Sequence, residues 1–130
     1  MRPIGIFGGT FDPIHCGHLR TALELRQHLG LQEVRFIPSA SPPHRDEVSA
    51  GAASRVDMVR AAIDGEDGFV LDEREFDRDG PSYTVDTLES LREENPDTPL
   101  CLIMGMDAFL SLPTWNRWQE LLSLAHIVVA

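Results

Sequence analysis

The sequence predicts an α/β fold: a doubly wound parallel sheet of about five strands flanked by helices. Two observations carry that reading. Short, continuous apolar runs of strand length, such as Leu100–Met104, alternate along the chain with stretches whose apolar residues recur at helical spacing. Hydrophobic residues make up 42% of 130 residues, enough for the core of one domain and no more.

Taken in order, Pro3–Phe7 reads as a buried strand stopped by Gly8-Gly9. Gly17–Leu29 follows as a helix, with Leu19, Ala22, Leu23 and Leu29 on its stripe and Gly30 as its stop. Val34–Ile37 is the second strand, and Pro38–Ala53 is a loop rich in Pro, Ser, Ala and Gly. Ser54 with Asp57 resembles a capping box, opening a helix that buries Val56, Val59, Ala62 and Ile63. Phe69–Leu71 is a short third strand. The acidic stretch "DEREFDRDG" after it reads as a solvated surface. Thr84–Glu94 is a helix with Val85, Leu88 and Leu91 on one face, ended by Asn95-Pro96. Leu100–Met104 is the most hydrophobic strand. Short helices follow around Asp107–Leu112 and Arg117–Leu124, the latter placing Trp118 with Leu121 and Leu122 in the core. Ile127–Val129 starts a fifth strand, and His126 before it has no assigned role.

Charge and composition exclude several functions. The net charge is −10 and all eleven basic residues are Arg, so there is no basic stripe for nucleic acid. An anionic ligand must instead be held by a local cluster of donors. No apolar run approaches membrane-spanning length and the N-terminus has no signal-peptide pattern. The two cysteines, Cys16 and Cys101, fit a reducing cytoplasm better than a disulfide scaffold. The expected location is cytoplasmic.

In a parallel sheet, ligands bind beyond the carboxyl ends of the strands where strand order reverses. Gly8–His18 and Gly105–Trp115 both follow strands. If strands one and four are neighbours, the two loops share one crevice. Gly8 and Gly9 would let a ligand approach the backbone. The helix start near Gly17 would offer free N–H groups and a positive dipole end to phosphate. His15 and His18 add donors there. Bound polyphosphate favours their cationic forms and the helix dipole opposes them. The spacing matches neither G-x-G-x-x-G nor a Walker A loop. Two histidines three apart could also be a metal pair, but zinc needs further ligands and Cys16 points away on a helical wheel. No metal site is assigned.

The segment "GGTFDPIHCGHL" resembles the G-G-T-F-D-P-x-H-x-G-H motif of bacterial nicotinate-nucleotide adenylyltransferases, in the nucleotidylyltransferase superfamily. "PPHR" (Pro42–Arg45), "GPSYTVDTL" (Gly80–Leu88) and "MGMDAFLSLPTWNRWQELL" (Met104–Leu122) are similar to three further motifs of that family. The resemblance implies a Rossmann-like sheet of the nucleotidylyltransferase type. It implies adenylyl transfer from ATP, with Mg²⁺, to nicotinate mononucleotide, giving deamido-NAD and pyrophosphate in NAD biosynthesis. By similarity, His18 and His15 are the catalytic histidines. Gly8, Gly9, Thr10, Phe11, Gly105 and Asp107 join them at ATP. His44, Arg45, Tyr83, Thr84, Trp115 and Asn116 hold the mononucleotide, with Trp115 stacking on the pyridine ring. Backbone N–H groups near Thr84 and Asn116 would take the nicotinate carboxylate and so select acid over amide.

One departure stands out. The family carries a second phosphate motif, I-S-[ST]-x-x-[IL]-R, downstream of the fifth strand, whereas this sequence stops at "HIVVA". The expectation is one domain, 1–130, lacking its C-terminal part. Two function classes stay open: an adenylyltransferase, for this or another phosphate acceptor, and a catalytically silent nucleotide-binding module.

Overall fold

Five strands form a single parallel sheet: β1 (Ile4–Gly9), β2 (Glu33–Pro38), β3 (Phe69–Leu71), β4 (Leu100–Met104) and β5 (His126–Val129), in the order β3-β2-β1-β4-β5. The computed structural model describes residues 2–9, 11, 13–39, 51–77 and 83–130. The helices are α1 (Cys16–Leu29), α2 (Ala52–Ile63), α3 (Thr84–Glu94), α4 (Met106–Leu110) and α5 (Trp118–Leu124). Single 3₁₀ turns lie at Arg74–Asp77 and Leu112–Thr114. β1 bonds to β2 on one side and to β4 on the other, so the strand order reverses between β1 and β4.

Side chains alternate across a strand, and here the alternation sorts them into two cores. Ile4, Ile6, Leu100, Leu102 and Met104 face Val85, Leu88 and Leu91 of α3 and Leu121 of α5. Cys101, Ile103, Val34 and Phe36 face Ala22 of α1 and Val59 and Ile63 of α2. Leu88, Leu91 and Leu121 are completely buried, so truncating any of them to Ala should cost about 2–5 kcal/mol. Gly5 is a packing glycine: a Cβ there would stand 2.9 Å from Leu31 Cδ1 and 3.2 Å from Ile103 Cδ1.

All the expected strands and helices form, with corrections of detail. Gly8 and Gly9 do not stop β1; they are its last two residues, in register with Ile37 and Pro38 of β2. Ser54 is no cap, because α2 starts two residues earlier with Gly51 as its N-cap. Leu29, Ala62 and Leu122 face solvent. On α1 Leu25 packs toward the core instead, and Trp118 is half-buried against the α3 side.

The acidic stretch is only partly a solvated surface. Asp72 and Arg74 are largely covered, and Arg74 Nε donates to both Asp72 oxygens at 2.9 and 3.0 Å. Its NH1 and NH2 reach Glu94 at 2.9 and 3.0 Å, tying this turn to the end of α3. Glu75 is buried and accepts from the Thr87 hydroxyl at 2.8 Å. Burial pushes the Asp72 carboxyl up, but the hydrogen bonds and charge of Arg74, with Arg35, outweigh it and hold it below its ordinary range. Carboxylates interleaved with arginines at a sheet edge can pair off and be covered, which a charge count does not reveal.

Candidate active site

The C-terminal ends of β1 and β4 lie side by side, Phe7 in register with Ile103. On the β1 side the backbone is bare. Among the described residues, a Cβ at Gly8 would meet the Ile37 carbonyl at 3.8 Å and nothing else, and one at Gly9 only Phe11 Cζ at 3.9 Å. Internal packing therefore does not require glycine at either position, in contrast to Gly5. Phe11 follows with φ of 48°, a left-handed conformation that strains any residue with a Cβ. Its side chain packs on the core cluster of β2 and α1, and the residue as a whole is 4% exposed.

α1 opens on a cap built from two imidazoles. His15, extended at φ −143° and ψ 175°, is the N-cap. Its Nδ1 accepts from the Gly17 N–H at 3.1 Å, and its own N–H donates to His18 Nδ1 at 3.0 Å. The rings lie 3.9 Å apart at 31°. A nitrogen that accepts carries no hydrogen, so each ring is a neutral imidazole with its hydrogen on Nε2. Burial, then the neighbouring His15, lowers the basicity of His18 and favours this neutral form. Gly17 is required by the cap: a Cβ there would stand 2.9 Å from His15 Cε1 and 3.0 Å from its Nδ1. The His15, Gly17 and His18 amides are taken by the cap and the first turn, so the neutral donors left at this helix start among the described residues are the Cys16 N–H and the two Nε2–H groups.

On the β4 side, Gly105 is the N-cap of α4, exposed, with nothing among the described residues within 4 Å of its Cβ position. Asp107 lies exposed in the first turn of α4. It is the one carboxylate of the described residues in that turn, placed across the gap from the glycines of β1.

The other expected residues fall into two groups. Thr10, His44 and Arg45 lie outside the described residues. Tyr83 and Thr84 stand at the start of α3, and Trp115 and Asn116 in the loop before α5. Tyr83 is the N-cap of α3 and packs, with Trp115, on the same core cluster. Trp115 is half-buried and its Nε1 donates to Ser111 Oγ at 3.4 Å. Asn116 is exposed. Sequence reading passed over the residue that joins them. Arg117, left-handed at φ 52°, pairs with Glu120 at 2.5 Å on α5 and with Glu89 at 3.2 Å and Asp86 at 3.5 Å on α3. It pins the Trp115-Asn116 loop beside the start of α3, where the first amides have no partner within the helix. Arg55 was also missed: it is buried on α2 and donates to the Ser39 carbonyl at 2.8 Å, holding the chain as it leaves β2.

A shallow groove of about 130 Å³ lies at the opposite end of the sheet, between Pro99, Leu100, Leu122 and His126. Its cation, Arg92, donates to the carbonyls of Asn95, Thr98 and Leu124 and so closes helix ends rather than awaiting an anion.

A parallel sheet that reverses at β1/β4, with two glycines closing β1 and a helix start following it, defines the class: a Rossmann-like, doubly wound α/β protein. Within that class, the chain belongs to the cytidylyltransferase-like family, whose model matches residues 6–130. It is 59% identical over 128 residues to a protein of Aeromonas salmonicida (strain A449) named probable nicotinate-nucleotide adenylyltransferase, covering 98% of this chain and 60% of that one. A Methylococcus capsulatus (strain Bath) protein of the same name is 60% identical over 127 residues, with 97% and 60% covered. The chain thus spans about 60% of the length of these curated relatives. Its fold is that of the Plasmodium falciparum nicotinic acid mononucleotide adenylyltransferase solved with NaAD, at a TM-score of 0.85 and 18% identity, over 99% of this chain and 64% of that one. Among the described residues no helix is long and apolar enough to cross a membrane.

Proposed function

We propose that this protein transfers the adenylyl group of ATP to nicotinate mononucleotide, releasing pyrophosphate and deamido-NAD, a step of NAD biosynthesis carried out in the cytoplasm. The observation that carries the reading is the pair of Nε2–H imidazoles capping α1 at the β1/β4 switch point. The names of the relatives at about 60% identity support it.

The chemistry asks for donors rather than a nucleophile. A phosphate oxygen of the mononucleotide attacks the α-phosphorus in line. The new P–O bond forms as the bond to the β-phosphate oxygen breaks, and pyrophosphate leaves with that oxygen. Charge accumulates on the α-phosphate oxygens and on the leaving group. Neutral N–H groups already in place stabilise it without reorganising, which is where such sites draw most of their rate. In this reading His18 Nε2–H donates to the α-phosphate. His15 Nε2–H, Thr10 and the Cys16 amide hold the neighbouring phosphates beside Gly8, Gly9 and Phe11. Gly105 and Asp107 take the ATP ribose. Mg²⁺ belongs to the substrate, arriving on the triphosphate and neutralising part of its charge.

On the acceptor side, His44 and Arg45 hold the mononucleotide phosphate and Trp115 presents a ring face to the pyridine. Amides at the start of α3 and at Asn116 donate to the carboxylate. A carboxamide offers them half the acceptor capacity and no charge, which selects acid over amide. The test is a competition with Mg-ATP and equal nicotinate and nicotinamide mononucleotides. Deamido-NAD and pyrophosphate should accumulate together while the amide is scarcely used. Equal use of both acceptors, or no dinucleotide at all, overturns the reading.

A further inference from the structure

Phe11 combines three features that a spacer in a ligand loop does not need. It is one of two non-glycine residues with positive φ among those described, the other being Arg117. Its ring is buried, not offered to the crevice. And that ring meets the His18 imidazole edge-on, with centroids 5.2 Å apart at 79°. Phe7 of β1 meets the same imidazole at 6.0 Å and 68°, and meets Phe11 at 5.7 Å. His15 covers another side of it at 3.9 Å.

We propose that Phe11 is a positioning residue: its left-handed backbone turns the ring inward, where with Phe7 it walls the His18 imidazole so that Nδ1 stays on the His15 amide and Nε2–H stays turned away from the cap. The inference rests on the adenylyl-transfer reading for its catalytic consequence and on geometry alone for its structural one. An aromatic edge against an imidazole fixes the ring's tilt, which the single hydrogen bond at Nδ1 leaves free to rotate. Two apolar rings also keep water from one side of His18, and among the described residues His15 is the titratable group bearing on it. Burial and His15 both act against protonation, in keeping with such a wall. The backbone strain at Phe11 then has a use: it is the conformation that lets a residue two positions past the end of β1 put its ring against the His18 imidazole at the helix start.

The experiment compares Phe11→Leu, Phe11→Tyr and Phe69→Leu. Phe69 shares the cluster through Phe36, at 5.1 Å, without a ring contact to His18. Imidazole ¹⁵N shifts are recorded across pH, and kcat and KM are measured beside them. In Phe11→Leu the His18 nitrogens should lose their single-tautomer pattern and its titration should move up toward that of an ordinary histidine. Turnover should fall about 10- to 100-fold with KM little changed, the scale for a catalytic group displaced by about an ångström. Phe11→Tyr, which retains the ring, should restore the wild-type pattern, and Phe69→Leu should keep it. Wild-type His18 shifts in Phe11→Leu, or the same disturbance in Phe69→Leu, overturn the inference. A protein without adenylyl transfer would sink the functional reading alone, because the ¹⁵N pattern still decides the role of Phe11.

Discussion

His15 and His18 each give their Nδ1 to a backbone N–H, at 3.1 and 3.0 Å, and so keep hydrogen on Nε2. In each ring Nδ1 serves the helix and, in the proposed reaction, Nε2–H serves the phosphates, and two expectations follow. His18→Ala should lower turnover by roughly two to three orders of magnitude, the scale for one lost preorganised donor, with a smaller change in substrate affinity. Steady-state kcat and KM check it, and near-normal turnover would contradict it. The second concerns pH. The folded state holds His18 less basic than in the unfolded chain. Below the ordinary histidine value of about 6.5 the unfolded chain therefore binds more protons, and stability falls as pH drops toward the folded value. Urea midpoints between pH 7 and 5 should show this decline, and His18→Asn should flatten it. The histidine pair was legible in the sequence as a motif. Its tautomers were not, because they depend on His15 being the N-cap, and the sequence reading opened the helix at Gly17.

Among the elements, α1 has an N-terminal cap that depends on a single small residue, Gly17. Gly17→Ala should raise helix propensity by up to about 1 kcal/mol. Its methyl would also displace the His15 ring, which lies 2.9 Å from the Cβ position, and loss of such a cap costs about 1 kcal/mol. The two nearly cancel, so the melting temperature should stay close to wild type while turnover drops. A variant with both stability and turnover intact would show that His15 is not held as described. Element existence was readable where an apolar run is closed by a breaker: Gly30 ends α1 in a left-handed cap and Asn95 caps α3. Element ends were less readable. Ser54 and Asp57 have the spacing of a capping box, yet the chain enters α2 at Gly51, and the same two residues then sit inside the helix. The reciprocal cap that does form is at His15 and His18, where imidazoles replace the usual hydroxyl and carboxylate. Nothing in residue preferences for caps points there.

Over the whole molecule, the sheet order is what turns separate motifs into a site. The order β3-β2-β1-β4-β5 sets the β1 and β4 loops against each other. The sequence supported that neighbourhood only as a condition, since alternating strands and helices are compatible with several orders. Arg117 shows the same limit from the other side. It reads as one more surface arginine until the fold sets α3 against α5 and makes it the clamp of the Trp115-Asn116 loop. With a net charge of −10 over the sequence, binding of a polyphosphate depends on local donors rather than on the overall field. The central claim is thus about place. Amide ¹H–¹⁵N spectra of the protein titrated with Mg-ATP test it most directly. Shift changes should concentrate at Gly8, Gly9, His15 to His18, Gly105 and Asp107, and Arg92, Ser123 and His126 in the groove at the far end of the sheet should stay still. Changes centred on that far groove, or none with Mg-ATP at millimolar concentration, would contradict the account.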